Sequence, residues 1–489
     1  MNDSINEPIL NKLDEKHANN LRLVTFNING INTLFNYYPW NKFNQDLNQV
    51  FLSLKGDIIT LQELKLTNNS LSTNFKSLGH LSDFKSFISL PKYKKGYSGV
   101  GVFIRVPKDE ESPQVKYLLS VMKAEDGITG WLNSPESQSC YREDTKNCIG
   151  GYPMIEKSEG LLLDQEGRCV VVELANNMVV ISVYCPANSM QTPEGELFRI
   201  NFLINLFKRA KNLYDMHKQV VLMGDININL DLIDNYEEIQ ARLQARLVRL
   251  TTAGESFEIV NYEECINFKS STKARRLLND IVVSQVNLPH EFKSSVLPSQ
   301  FLYDSTRQIQ GRKLNMFTVW NTMKNLRNSN IGSRIDLILV TKSLLSRVTK
   351  ADIWPFLLGS DHCPVFTDIE LTENYASDVT TPTKLLFEAK YFYKLIKDKD
   401  IVGMFFAPKK SKEILVTEVD NSIKNLDDEK LKNKAEIDKL TDDTDIIDVK
   451  IDSISQNKIN KPKLVYKSRK IKRVDTAGQQ SIQNYFKNR

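Results

Sequence analysis

Alternation of apolar and polar positions divides the first 371 residues into short buried strands and three amphipathic helices. Residues 21–27 (LRLVTFN) and 57–63 (DIITLQE) read as strands, and the second ends on a carboxylate. Residues 96–105 (GYSGVGVFIR) read as a glycine-rich turn entering a strand. Residues 168–174 and 178–184 form a hairpin around Asn176-Asn177. Strands at 219–227, 317–320, 334–340, 348–353 and 365–371 complete the set. Trp40, Phe43, Leu47, Val50, Phe51 and Leu54 recur at helical spacing and predict one helix over 40–54. Leu197, Phe198, Phe202, Leu206, Phe207, Ala210 and Leu213 predict another over 194–218, and a third covers 235–250. Strands and helices alternate loosely while several strands are hairpin-linked, which favours an α/β sandwich of mixed sheets over a strictly parallel one.

Outside this region the pattern fades. Residues 1–20 have no apolar centre and carry Asp3, Glu7, Asp14 and Glu15, so they read as a disordered lead-in, unlike a secretory or mitochondrial signal. Residues 108–167 are polar, punctuated by Pro113, Pro135 and Pro153, and read as a long loop or insertion. The folded domain is expected to span 21–371. Residues 372–475 read as a disordered charged linker, dense in Asp, Glu and Lys over 413–452 and ending in a basic cluster, KSRKIKR at 467–473. That cluster suits a nuclear signal or a DNA tether equally. No apolar run approaches the ~20 residues of a membrane span. The six cysteines are scattered without a CxxC pair, as expected of reduced thiols without structural zinc. A net charge of +5 permits a polyanionic partner without requiring one.

The chemistry gathers at strand ends. Asn27, Glu63, Tyr184, Asp225 with Asn227, and Asp336 close or open five strands, and Asp361-His362 precedes a sixth. One polar strand end is an ordinary turn residue. Six at corresponding ends point to a ligand at one mouth of the fold. Carboxylates, amides and one imidazole without thiols suit a hard cation such as Mg2+ or Mn2+ and phosphoryl chemistry. No GxSxG or paired cysteine suggests a covalent intermediate.

The ordered motifs FNINGI (26–31), LQELK (61–65), GYSGVG (96–101), VYCPAN (183–188), GDIN (224–227), SRID (333–336) and GSDHCPV (359–365) resemble the exonuclease III family. That family belongs to the endonuclease/exonuclease/phosphatase superfamily. The insertion ending in DQEGR (164–168), DSTR at 304–307 and Ser333 before RID resemble its eukaryotic AP endonuclease 2 branch. The resemblance implies a DNase I-like four-layer α/β sandwich, two mixed sheets flanked by helices, and a Mg2+-dependent phosphodiesterase of base-excision repair. It would cut 5′ to abasic sites and trim blocked or mismatched 3′ ends, as a monomer on double-stranded DNA in the nucleus. Implied roles are Glu63 as principal metal ligand with Asn27 and Asp361 nearby, and Asp225 for the attacking water. Asn227, Tyr184 and His362 would hold the phosphate, with Asp336 orienting His362. Alternatively Asp225, Asn227 and His362 would bind a second ion. Lys65, Tyr97, Asn188 and Arg327 would touch DNA. Asn29 stands where some members have a carboxylate, and Val319 and Ser333 are smaller than the aromatic pair that grips an abasic sugar in the major endonucleases. Weaker incision beside stronger 3′-end processing is therefore expected. The competing readings are a relative acting on RNA or a phosphorylated small molecule, and a catalytically dead scaffold.

Residues 476–489 hold Gln479, Ile482, Tyr485 and Phe486 in the QxxΦxxaa pattern of a PCNA-interacting peptide. No cysteine follows Cys363, so the zinc module that ends many members of the branch is expected to be missing.

Overall fold

A computed structural model describes residues 7–137, 139–293, 297, 300–371, 382–393 and 395. The strands in chain order are β1 (Asn20–Asn27), β2 (Ile58–Gln62), β3 (Phe84–Ser89), β4 (Val100–Arg105), β5 (Val121–Asp126), β6 (Cys169–Leu174), β7 (Met178–Tyr184) and β8 (Gln219–Asp225). There follow β9 (Val282–Val283), β10 (Leu302–Asp304), β11 (Val319–Trp320), β12 (Gly332–Ser333), β13 (Asp336–Thr341), β14 (Val348–Ile353) and β15 (Val365–Glu370). One sheet runs β14-β15-β1-β2-β4-β3, a second runs β5-β6-β7-β8-β13-β10-β9, and β11 pairs with β12.

The two sheets stack face to face. Leu23, Ile58 and Val102 of the first meet Val170, Val180, Val221 and Ile338 of the second in one buried cluster. On the outer face of the first sheet, Trp40, Val50 and Phe51 pack over Val24, Phe26, Ile59 and Phe103. On the outer face of the second, Leu203, Phe207 and Ala210 of the helix Pro193–Asp215 cover Val171, Val179, Ile181 and Leu222. The architecture is thus a four-layer α/β sandwich with mixed sheets, as expected from the sequence. Strands with both faces covered read as near-continuous apolar runs, which made most of them legible.

Four expectations need correction. The helix over 40–54 is a 3-10 turn, Trp40–Lys42, followed by a helix Leu47–Ser53. Asn44 and Gln45 take left-handed φ of 48° and 62° between them, and Asp46 caps the second piece by accepting from the Gln49 N–H (3.1 Å). The lead-in is ordered from residue 7 within 1–20, because Leu10 and Leu13 bury in the first sheet's outer cluster and Lys16 pairs with Asp57 (2.7 Å). The 108–167 segment is folded: β5 extends the second sheet, and Asp164, ending the helix Lys157–Asp164, accepts from the Ile128 N–H (2.6 Å). The domain does not stop at residue 371 either. Leu385 and Phe387 join the intersheet cluster, and Ala389 and Tyr393 the outer one, so this part of the expected 372–475 linker is packed. The basic cluster and the 476–489 peptide lie outside the described residues.

Candidate active site

Register builds the site. In the second sheet Tyr184 on β7 lies opposite Asp225 on β8, and Asp225 lies opposite Asp336 on β13. Three chemistry-bearing residues therefore stand side by side across three adjacent strands. In the first sheet β1 ends at Asn27 beside Gln62, so Glu63 follows directly, while β15 runs antiparallel to β1 and begins just past His362. The polar ends of both sheets meet at one edge of the sandwich.

Asn27 ties the sheets together. Its buried Nδ2 donates to Glu63 Oε1 (3.0 Å) and to Asp225 Oδ2 (2.9 Å), and its Oδ1 accepts from the Asn29 N–H (3.0 Å). Lys65 Nζ pairs with Glu63 Oε2 (2.9 Å) and donates to Asn29 Oδ1. Asn29 Nδ2 in turn donates to Asp361 Oδ1 (2.9 Å). On the other side His362 Nδ1 donates to Asp336 Oδ2 (2.8 Å), and its Nε2 faces Asp225 Oδ2 at 4.0 Å. Asn227 donates one amide hydrogen to the Cys185 carbonyl (2.8 Å), and its backbone N–H bonds Asp225 Oδ1 (2.9 Å).

Burial and like charge set the protonation states. Burial and the Asp336 carboxylate push Asp225 up to about 7. Burial alone would lower His362, but Asp336, then Asp225 and Asp361, raise it to about 10, so the ring is an imidazolium at neutral pH. Burial, with Glu63 and Asp225 nearby, holds the Tyr184 phenol far above its usual range, so it remains a hydrogen-bond donor.

The donor set fits a hard divalent ion. Asp225, Asp336 and His362 are buried with side-chain N and O atoms within 4.8 Å of one another. The His362 imidazolium turns a cation away, so the ion-binding side is that of Glu63, which Asn27 joins to Asp225, and of Asp361, which Asn29 reaches. Asp336 Oδ1 is buried without a hydrogen-bond partner. Carboxylate and amide oxygens dominate, with no sulfur ligand pointing in.

The four residues assigned to DNA divide. Lys65 reaches the metal-binding side of the cluster. The Tyr97 hydroxyl donates to Glu166 Oε2 (2.9 Å) and accepts from Arg168, whose guanidinium lies 5.0 Å from the Tyr184 ring and donates to the Tyr184 carbonyl (3.1 Å). Asn188 is half-buried and shapes its own loop, accepting from the Thr192 N–H (3.2 Å). Arg327 directs its guanidinium to the carbonyls of Ser360 (2.9 Å), His362 (3.2 Å), Pro355 (3.0 Å) and Leu357 (2.7 Å), and sits 4.5 Å over Trp320. It clamps the loop carrying Asp361 and His362. Val319 and Ser333 pair with each other beside that loop, and Val319 bridges to His362.

Sequence reasoning missed the support beneath Asp336. Arg334 is buried and donates to Asp234 Oδ1 (2.8 Å) while pairing with Asp304 (2.7 Å), and Arg307 joins the same Asp234 (2.5 Å). The DSTR stretch at 304–307 supplies two of these partners. The stretch stands out in the sequence as a motif, but a motif does not reveal its distant partners Asp234 and Arg334.

A family model described as the Endonuclease/Exonuclease/phosphatase family matches residues 24–362. A relative named DNA-(apurinic or apyrimidinic site) endonuclease 2, from Saccharomyces cerevisiae, is 42% identical over 441 residues, which is 86% of this chain and 81% of the relative. A relative of the same name from Schizosaccharomyces pombe is 33% identical over 72% of this chain, which spans 58% of that relative's length. Among solved structures, the Xenopus laevis APE2 catalytic domain superposes with a TM-score of 0.54 at 24% identity, covering 77% of this chain and 98% of that one, a likeness of fold.

Proposed function

The chain belongs to the endonuclease/exonuclease/phosphatase family, and from that premise we propose that it is a divalent-cation-dependent DNA phosphodiesterase of base-excision repair. It incises 5′ to abasic sites and processes 3′ ends. The relatives named DNA-(apurinic or apyrimidinic site) endonuclease 2 support the substrate class. The observation that carries the reading is the row of half-buried Tyr184 and buried Asp225 and Asp336, with His362 hydrogen-bonded behind it.

In this mechanism Asp225, whose pKa lies near the working pH, accepts the proton of the attacking water. The His362 imidazolium, fixed by Asp336, and the Tyr184 phenol hold the non-bridging phosphate oxygens where negative charge grows. Glu63, with Asn27 and Asp361, would hold Mg2+ or Mn2+, which would supply charge neutralisation on the phosphoryl oxygen. Asn227 has one amide hydrogen committed to Cys185, so its carbonyl oxygen suits the ion better than its amide suits the phosphate.

The test is a time course on end-labelled abasic, recessed and 3′-blocked duplexes with and without EDTA. Mg2+-dependent cleavage, abolished in Asp225→Asn, is the expected result. Equal cleavage of an RNA duplex would favour the RNA-directed alternative, and no cleavage at all the scaffold. The small wall at Val319 and Ser333 supports 3′-end processing over abasic incision; incision dominating tenfold would contradict it. Nuclear residence and recruitment by PCNA through Gln479, Ile482, Tyr485 and Phe486 complete the proposal. A Phe486→Ala protein still fully stimulated by PCNA would remove the last part.

A further inference from the structure

The 108–167 segment, read from the sequence as a long loop or insertion, supplies most of the lining of a cavity at the same edge of the sandwich. It has a volume of about 700 Å3, and Lys92, Asp126, Trp131, Tyr141, Lys157 and Phe392 line it. Nothing in the mechanism above uses it.

Its position follows from the sheet. Asp126 ends β5 and faces Val170 at the start of β6, and the Tyr184 N–H bonds the Arg168 carbonyl just before β6. The order β5-β6-β7-β8 therefore sets the cavity three strands from Asp225 along one rim. At ~4.8 Å per strand that is about 14 Å, or roughly four steps of a nucleic-acid strand at 3.4 Å each.

Its chemistry suits a nucleotide rather than an oil-like ligand. Two accessible aromatic rings, Trp131 (with Arg142 over one face) and Phe392, provide the stacking surface that nucleobases seek, while Tyr141 is buried in the wall. Lys92 and Lys157 bring positive charge, and Lys92 belongs to an exposed run, Lys92-Tyr93-Lys94-Lys95, in which Tyr93 is 80% exposed. Lys94 is already paired with Glu166 (2.7 Å), whereas that run's remaining lysines face solvent. The opposing charge is Asp126, half-buried and hydrogen-bonded by the Ser89 hydroxyl. Burial raises its carboxyl to about 7, so near neutrality it can accept from or donate to the edge of a base.

We propose that this cavity is a second DNA subsite, taking an unpaired nucleotide about four positions from the scissile phosphate, with its base against Trp131 and Phe392 and its phosphates on Lys92 and Lys157. The inference rests on the DNA-phosphodiesterase reading and extends it to substrate choice: duplexes with a locally unpaired strand are preferred over fully paired ones.

The test uses the full chain on abasic duplexes that carry one unpaired 4-thiothymidine at positions two to eight from the abasic phosphate. Photocrosslinks mapped by mass spectrometry should fall on peptides containing Trp131 or Phe392, with a maximum near position four. Lys92→Glu/Lys157→Glu, both outside the catalytic cluster, should raise KM about tenfold on the unpaired substrate and leave kcat on the fully paired duplex unchanged. Crosslinks confined to the catalytic loops, or equal KM changes on both substrates, would overturn the subsite while incision persists. Failure of the wild-type chain to cleave any of these duplexes would overturn the parent reading instead.

Discussion

Glu63, Lys65 and Asn227 share an uncommon backbone state, with φ of 54°, 53° and 54°, and Asn29 joins them at 49°. Left-handed conformations cost a non-glycine residue of order 1 kcal/mol and persist where surrounding contacts over-determine them. Here those contacts are the bonds from Leu64 and Lys65 N–H to the Gly99 and Ser98 carbonyls (3.0 and 2.8 Å), which aim the Glu63 carboxylate at Asn27. The same scale governs His362. Asp336→Asn removes the carboxylate that fixes its tautomer and charge, so kcat on an abasic duplex should fall about 10²–10⁴-fold with an unchanged circular dichroism spectrum. A loss below tenfold would show that His362 needs no orienting partner. The residue identities at this scale were legible, because six polar strand ends stand out against apolar runs. Their backbone states were not, since nothing in Glu63's own neighbourhood announces a positive φ.

Elements carry two further predictions. Gly224 holds φ at 136° where β8 passes β7, and a Cβ there would lie 2.0 Å from the Val183 carbonyl oxygen. Gly224→Ala should cost more than ~3 kcal/mol and separate Tyr184 from Asp225; a thermal midpoint within 2 °C of wild type, on the order of 1 kcal/mol for a domain this size, would refute it. Arg327 clamps four carbonyls, a task that needs a planar fork of donors. Arg327→Lys should therefore behave like Arg327→Ala, each lowering kcat and the thermal midpoint, while the salt dependence of DNA binding stays as in wild type. A reduced salt slope would return Arg327 to the DNA contacts. Its role was hidden from the sequence because carbonyl partners have no residue signature. For the same reason the 108–167 segment read as loop: β5 has half-exposed positions, and its pairing to β6 shifts register between Val121 and Lys123, which blurs alternation.

On the scale of the whole molecule, buried carboxyls tune stability with pH. Asp164 is buried and Asp126 half-buried, and desolvation raises them to about 6 and about 7, above the ~3.9 of an unfolded Asp. A raised folded value means the native state keeps its proton longer, so their contribution is complete below about pH 4 and fades as pH rises through 6 to 7. The thermal midpoint should accordingly decline between pH 5 and 8, and Asp126→Asn should flatten that decline. An unchanged slope in the variant would show that Asp126 does not titrate there. At the acid end Asp231 works in the opposite sense. Burial would raise it, but Arg312 and Lys269 hold it far below the usual range, so its contribution is lost as pH falls below about 4. The sandwich itself was legible from periodicity, whereas this network of internal charges, joined by residues 81 apart in Asp231 and Arg312, was not.

The Tyr184–Asp225–Asp336 row has one more consequence. Because side chains alternate between faces along a strand, moving β8 by a single position would turn Asp225 away from its two neighbours and present Gly224 or Ile226 in its place. Deleting or inserting one amino acid anywhere in β8 should thus erase hydrolysis even where the chain still folds, and the turn that follows is no freer, because Asn227 is held there against Asp225 and Cys185. The parity of that ribbon is fixed by the row it must complete.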